Sequence, residues 1–137
     1  MQDFCIRNGQ YLSNESLTQS LSLMRNLQKL DLSYCKQIDD KVMLTVCSEM
    51  KQVKNLAIRF LNLLTGDTLK AIIDNFKGLE GLDISGCFGM DLNCLSKLRG
   101  NKTLKCILLE YLILKTETLR HLQDTNISTI SVFCKKL

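Results

Sequence analysis

The feature that most constrains this chain is that it repeats itself. Leu27, Leu30, Leu32, Cys35 and Ile38 return 26 residues later as Val53, Leu56, Ile58, Leu61 and Leu64, and again as Leu79, Leu82, Ile84, Cys87 and Met90. Leu104, Ile107, Leu109 and Leu112 continue the series one residue early, Phe4 and Ile6 extend it backward, and Ile127, Ile130 and Val132 extend it forward at a contracted spacing. Within each frame the central anchors are two residues apart, as in a short strand with alternate side chains turned inward. Between frames lie Met43, Val46, Cys47 and Met50, then Leu69, Ile72, Ile73 and Phe76, then Leu92, Leu95 and Leu98, then Leu119 and Leu122. Spacings of three and four residues in the first two sets predict amphipathic helices. Asp40, Asp67, Asp91 and Thr116 stand just ahead of these sets, where N-caps belong.

One strand and one helix cannot bury their apolar faces alone, so each unit must be covered by its neighbours. A period of this length with the frame LxxLxLxxC is the leucine-rich-repeat signature. The expected fold is α/β: a curved right-handed horseshoe fragment, with a parallel sheet on the concave face and helices on the convex face. A single domain of residues 1–137 is expected, in about five repeats, with strands near 3–7, 29–33, 55–59, 81–85, 106–110 and 129–133. Cys35 and Cys87 replace a leucine at the anchor that closes the turn, so both are expected in the core as small hydrophobes.

The segments LDLSYCKQIDD at 30–40 and LDISGCFGM at 82–90 resemble the cysteine-containing leucine-rich repeats of F-box proteins, with Ile38 and Asp40 matching that family's Ile-x-Asp. The likeness covers nearly the whole chain. Thr103-Leu104-Lys105, Thr118-Leu119 and Cys134 fit the last repeats of such a receptor. The resemblance implies a substrate-recognition module of an SCF-type, cullin-based ubiquitin ligase. The chain departs from the family in having neither a recognisable F-box nor a long C-terminal extension.

Outward-facing strand residues form columns, one per position, about 4.8 Å apart from repeat to repeat. They read Lys29, Asn55, Gly81, Cys106, Thr129; then Cys5, Asp31, Ala57, Asp83, Leu108, Ser131; then Arg7, Ser33, Arg59, Ser85, Glu110, Phe133; and, at the strand end, Asn8, Tyr34, Phe60, Gly86, Tyr111. Aromatic rings beside an arginine have the composition of an interface hot spot. The expected partner-binding residues on the concave face are therefore Asp31, Tyr34, Arg59, Phe60, Asp83, Glu110 and Tyr111. Gly86 is a gap in the aromatic column, where a partner's side chain would enter. Asp31 and Asp83, with Ala57 between them, read as a solvated acidic patch.

Other functions find little support. His121 is the single histidine, there is no CxxC, and no glycine-rich loop is followed by lysine, so no catalytic residue, metal ligand or cofactor is assigned. The net charge of +4 comes from bases scattered along the chain, too little to suggest nucleic acid, and no apolar run approaches membrane-spanning length. Seven cysteines, an odd number, with no export signal point to a reducing compartment, cytoplasm or nucleus.

The expected partner is thus a protein, joined by ubiquitin-ligase subunits if the chain is linked to an F-box. The first strand begins almost at Met1 with nothing before it to cover the core cross-section, so self-association through that repeat, or an origin as part of a longer receptor, is also expected. At the other end Lys135 and Lys136 would discourage edge pairing. Short repeat proteins of this type also serve as assembly or coupling factors of mitochondrial respiratory complexes, which is the alternative reading.

Overall fold

The computed structural model describes residues 2–123 and 125–132. Six parallel strands form one sheet in chain order: β1 (Asp3–Cys5), β2 (Lys29–Asp31), β3 (Asn55–Ala57), β4 (Gly81–Asp83), β5 (Cys106–Leu108) and β6 (Thr129–Ser131). Helices α1 (Asn14–Ser22), α2 (Asp40–Glu49), α3 (Gly66–Asn75) and α4 (Thr116–Gln123) connect them, with a 3₁₀ helix (Leu92–Leu98) between β4 and β5. This is a leucine-rich-repeat solenoid, an α/β stack with a wholly parallel sheet.

Each strand is three residues long where five were expected, but its ladder continues. The amides of Ile6, Leu32, Ile58, Ile84 and Leu109, then those of Asn8, Tyr34, Phe60 and Gly86, donate to carbonyls of the next repeat. The register pairs Asp3 with Lys29, Asn55, Gly81, Cys106 and Thr129, and Cys5 with Asp31, Ala57, Asp83, Leu108 and Ser131. Repeat spacing alone therefore places these side chains in rows.

The three 26-residue frames are buried at every anchor, as are Leu104, Ile107, Leu109 and Leu112. The thiols of Cys35 and Cys87 lie in this core and donate to the carbonyls of Ile6 and Ile58 in the preceding repeat. A leucine would fill the same space without that bond. In β6 the pattern weakens: Ile130 is exposed, because β6 is the edge of the sheet and no further element among the described residues covers it.

The helical returns depart from expectation in detail. Leu92, Leu95 and Leu98 recur every three residues, which aligns them on one face of a 3₁₀ helix, and this repeat is the one that is a residue short. In α4 the buried pair is Thr118 and Leu122, four apart on one face, which turns Leu119 outward. Helix α1, buried through Leu17 and Leu21, was not anticipated.

The caps are Ser13, Asp39, Thr65 and Asp91, whose side chains accept from Ser16, Val42, Asp67 and Asn93 amides. Asp91 matches the sequence reading. Asp39 and Thr65 replace Asp40 and Asp67 because the cap must precede the first helical residue, and Asp40 is already helical. Asp40 instead ties one helix start to the next. Its carboxylate accepts from the Thr65 amide at 2.9 Å and from the hydroxyls of Thr65 and buried Thr68 at 2.6 Å.

Burial pushes the Asp40 carboxyl up, but the hydrogen bonds from Thr65 and Thr68 outweigh it and hold its pKa below the ordinary 3.8. A depressed folded-state pKa gives stability that is complete above the unfolded value and lost as pH falls through the folded one. Wild-type stability should therefore drop as pH falls below about 4. Asp40→Asn should be less stable than wild type near neutrality and show a shallower acid dependence, read from urea midpoints between pH 6 and 3.

Candidate functional site

The open face of the sheet carries a groove of about 480 Å³ running across the strands. Its floor comes from the first two columns: Asn55, Ala57, Cys106 and Leu108, with Cys5 and Lys29 toward β1. Small side chains keep the middle low. Gly81 has none, and the Asn55 carboxamide leans into the space that a Cβ there would take.

One wall is a ladder of ions. Arg7 Nε donates to Asp31 Oδ2 at 2.7 Å, Arg59 donates to Asp83 at 2.9 Å and to Glu110 at 3.2 Å, and Ser131 donates to Glu110. The third column alternates long and short, Arg7, Ser33, Arg59, Ser85, Glu110, and the long side chains roof over the serines, which are fully buried. Each serine hydroxyl accepts a backbone N–H from the next repeat, Ser33 from Arg59 and Ser85 from Glu110. Asp31 and Asp83 each also accept the amide of the serine two residues on. The two aspartates are thus not a solvated patch: their side chains are only 16% and 13% exposed, and their oxygens are engaged within the chain.

The electrostatics follow. Burial raises the Asp31 carboxyl, but hydrogen bonds from Ser33 and Arg7 more than reverse it, leaving the pKa below the ordinary range. Burial alone would lower the Arg59 guanidinium, yet the hydrogen bond and charge of Asp83, with Tyr34 and Glu110, hold it above its ordinary value. Arg59 is a charged keystone for repeats three to five.

At the strand ends the backbone of Asn8, Tyr34, Phe60, Gly86 and Tyr111 is left-handed, with φ between 55° and 69°. The amides of Cys35 and Cys87 close turns onto Leu32 and Ile84 in which the left-handed residue stands third, the place that a type II turn reserves for Gly or Asn. Asn and Gly suit this position; Tyr and Phe cost about 1–2 kcal/mol each there.

The rings offset that cost by packing on one another. Tyr34 stacks on Phe60 at 5.3 Å, Phe60 meets Tyr111 at 5.4 Å and Phe88 edge-on at 6.2 Å. Such pairs contribute about 0.5–1.5 kcal/mol each beyond burial, so strain and stacking come close to balance. The space over Gly86 is already filled by the Phe60 ring, which corrects the expectation that a partner's side chain enters there.

The seven expected site residues therefore fall into two groups. Asp31, Arg59, Asp83 and Glu110 form the ionic wall, and Tyr34, Phe60 and Tyr111 form an aromatic row along its far edge. Of these, only Asp31 and Asp83 also line the groove. Ala57, Cys106, Leu108 and Asn55 line it too, in columns that the repeat spacing turns outward. Phe133, in the third column, Cys134, and Lys135 and Lys136 lie outside the described residues.

The six described cysteines are free thiols. Burial pushes Cys47 up to about 12 and Cys87 up to about 11. Cys5 is exposed at the groove's end and Cys106 half-buried on its floor. An alkylating reagent should modify Cys5 first and Cys106 more slowly, while Cys47 and Cys87 react only on unfolding; mass mapping of a labelling time course reads this order. Among the described residues no three His, Cys, Asp or Glu side chains are grouped to hold a metal, and no helix is long and apolar enough to cross a membrane.

No family model matches the sequence, and no curated protein matches it. Solved structures do resemble its fold. A chain of the yeast complex of Rad7 and Elc1 superposes with a TM-score of 0.65 at 17% identity, over 80% of this chain and 29% of that one. Leiomodin-1 actin-binding site 2 superposes with a TM-score of 0.52 at 15% identity, over 99% of this chain and 72% of that one. The chain thus spans less than a third of the Rad7–Elc1 chain it matches.

Proposed function

We propose that this chain is a non-enzymatic protein-binding module that takes its partner in the groove of the sheet face. The observation that carries this reading is the groove itself: a low, largely apolar floor beside a wall whose charges are all paired within the chain. A surface of that kind favours burial of a partner's apolar side chains, because no unpaired wall charge has to be desolvated. Both structural neighbours are described by protein partners, Elc1 for Rad7 and actin for the leiomodin segment, which supports a scaffold that binds proteins.

The finer reading is substrate recognition in an SCF-type ubiquitin ligase, on the likeness of residues 79–133 to the last repeats of the S-phase kinase-associated F-box protein. It goes with a reducing compartment, cytoplasm or nucleus, a reading that rests on the odd number of cysteines in the sequence.

The test is affinity purification with wild type and with Asn55→Trp/Cys106→Trp, which raises the groove floor with uncharged side chains in the first column and leaves the column of Asp31 and Asp83 unchanged. A partner that is retained by wild type and lost by the variant, at unchanged circular dichroism, supports the groove. Equal capture by both overturns it. Skp- or cullin-type proteins among the retained partners would support the ligase reading, and respiratory subunits would replace it with the assembly-factor reading.

A further inference from the structure

The fold collects bases that look scattered in sequence. Consider the last turn of α1, α2, α3 and the 3₁₀ helix, each with the connection to the strand that follows: residues 20–28, 46–54, 72–80 and 96–105. Because the strands are parallel, all four segments lie along one edge of the stack. They hold eight cations, Arg25, Lys51, Lys54, Lys77, Lys97, Arg99, Lys102 and Lys105, against three anions, Glu49, Asp74 and Glu80, a local charge of +5. The remaining ten cations and eleven anions sum to −1, so this edge accounts for the whole net charge of +4. Arg25, Lys51, Lys77 and Lys102 occupy the same place in successive repeats, making a row with one base per repeat.

All eight cations are exposed. Weak ion pairs engage Arg25 with Glu49 at 3.8 Å, Lys97 with Asp74 at 3.3 Å and Lys105 with Glu80 at 3.4 Å. None of the ion pairs among the described residues involves Lys54, Lys77 or Lys102. Between the ends of α3 and the 3₁₀ helix the edge is hollowed into a concavity of about 410 Å³, lined by Lys77, Lys97 and Arg99 with Asp74 at its side.

Favourable interaction with helix C-termini explains part of this pattern, but that effect fades within the last turn. Lys54, Lys102 and Lys105 lie four or more residues beyond the helix ends.

We propose that this edge is a second docking surface, separate from the sheet groove, and that its partner is an acidic protein segment. The edge has no exposed aromatic ring on which a base would stack, since Phe76 is buried. Its one strongly exposed apolar side chain is Leu23, too little to anchor a bilayer surface. What it offers is a regular row of solvated cations beside a polar hollow, which complements a run of Asp and Glu.

The test titrates the protein into a fluorescein-labelled twelve-residue peptide of alternating Glu and Gly. Lys54→Glu/Lys77→Glu/Lys102→Glu takes the edge from +5 to −1. Lys36→Glu/Lys41→Glu/Lys115→Glu makes the same change in net charge on the opposite edge, where strands lead into helices.

Wild type should bind the peptide saturably and weaken steeply with salt; the first variant should lose about tenfold or more in affinity, and the second no more than about threefold. If the first variant fails to keep its circular dichroism, Lys→Ala at the same three positions, which leaves +2, should still weaken binding more than the opposite-edge variant does. Absence of saturable binding, equal loss in both variants, or tighter binding to a single-stranded oligonucleotide or to phosphatidylserine vesicles than to the peptide would each overturn the proposal.

Discussion

Gly86→Ala should lower stability by about 2–5 kcal/mol, the sum of a side chain forced into left-handed backbone and an overpacking clash. Gly86 has φ +69°, and a Cβ there would stand 2.5 Å from two ring carbons of Phe60. The ring cannot simply swing away, because it is stacked on Tyr34 on one side and against Tyr111 on the other. The glycine therefore belongs to the aromatic row: its missing side chain lets a ring from the third repeat reach one in the fifth. Urea unfolding measures the loss. Phe60→Ala/Gly86→Ala should cost less than the two single losses added, since the clash disappears with the ring. Strict additivity would show that the two positions do not meet as described.

Arg59→Ala should cost about 1–3 kcal/mol, less than the loss of one member of a fully buried pair because solvent screens all three groups. The arginine side chain is 24% exposed, Asp83 13% and Glu110 29%, so its removal leaves two carboxylates facing one another in partial burial. The response to salt identifies the cause. Added salt screens both the ion pairs of the wild type and the repulsion left in the variant, so the deficit should shrink as sodium chloride is raised from about 0.05 to 1 M. A constant deficit across that range would mean that the guanidinium acts through packing alone. Arg59→Lys should restore charge but not the forked contact, and fall between the two.

Much of the fold was legible because a 26-residue period fixes register: once Leu30, Leu56 and Leu82 are superposed, every outward column follows. What lay on those columns was harder to interpret. Arg59 and Glu110 are 51 residues apart and meet only because intervening Ser85 is short enough to pass beneath them. No local pattern announces that, and so Asp31 and Asp83 read as free acids.

The aromatic row was placed correctly in its column, but its left-handed backbone and the Phe60 ring over Gly86 are tertiary facts. Helix starts were misplaced by one or two residues because several adjacent Asp and Thr side chains are all suited to cap. The basic edge escaped notice for the opposite reason: its members are far apart in sequence, and only the winding of the chain lines them up.

The serine roofing has a consequence for how such a stack can lengthen or shorten. Asp31, Ser33 and Cys35 recur as Asp83, Ser85 and Cys87, two coils on, while the intervening coil carries Ala57, Arg59 and Leu61 in the same places. The true modular unit is a pair of coils, one short and acidic, one long and charged. Excising residues 27–52 would set Arg7 beside Arg59, like charge against like, with no serine between them. Excising 27–78 would instead set Arg7 beside Asp83 and Ser85, the same neighbours it has now. Growth or loss by twos preserves the weave, and by ones it does not.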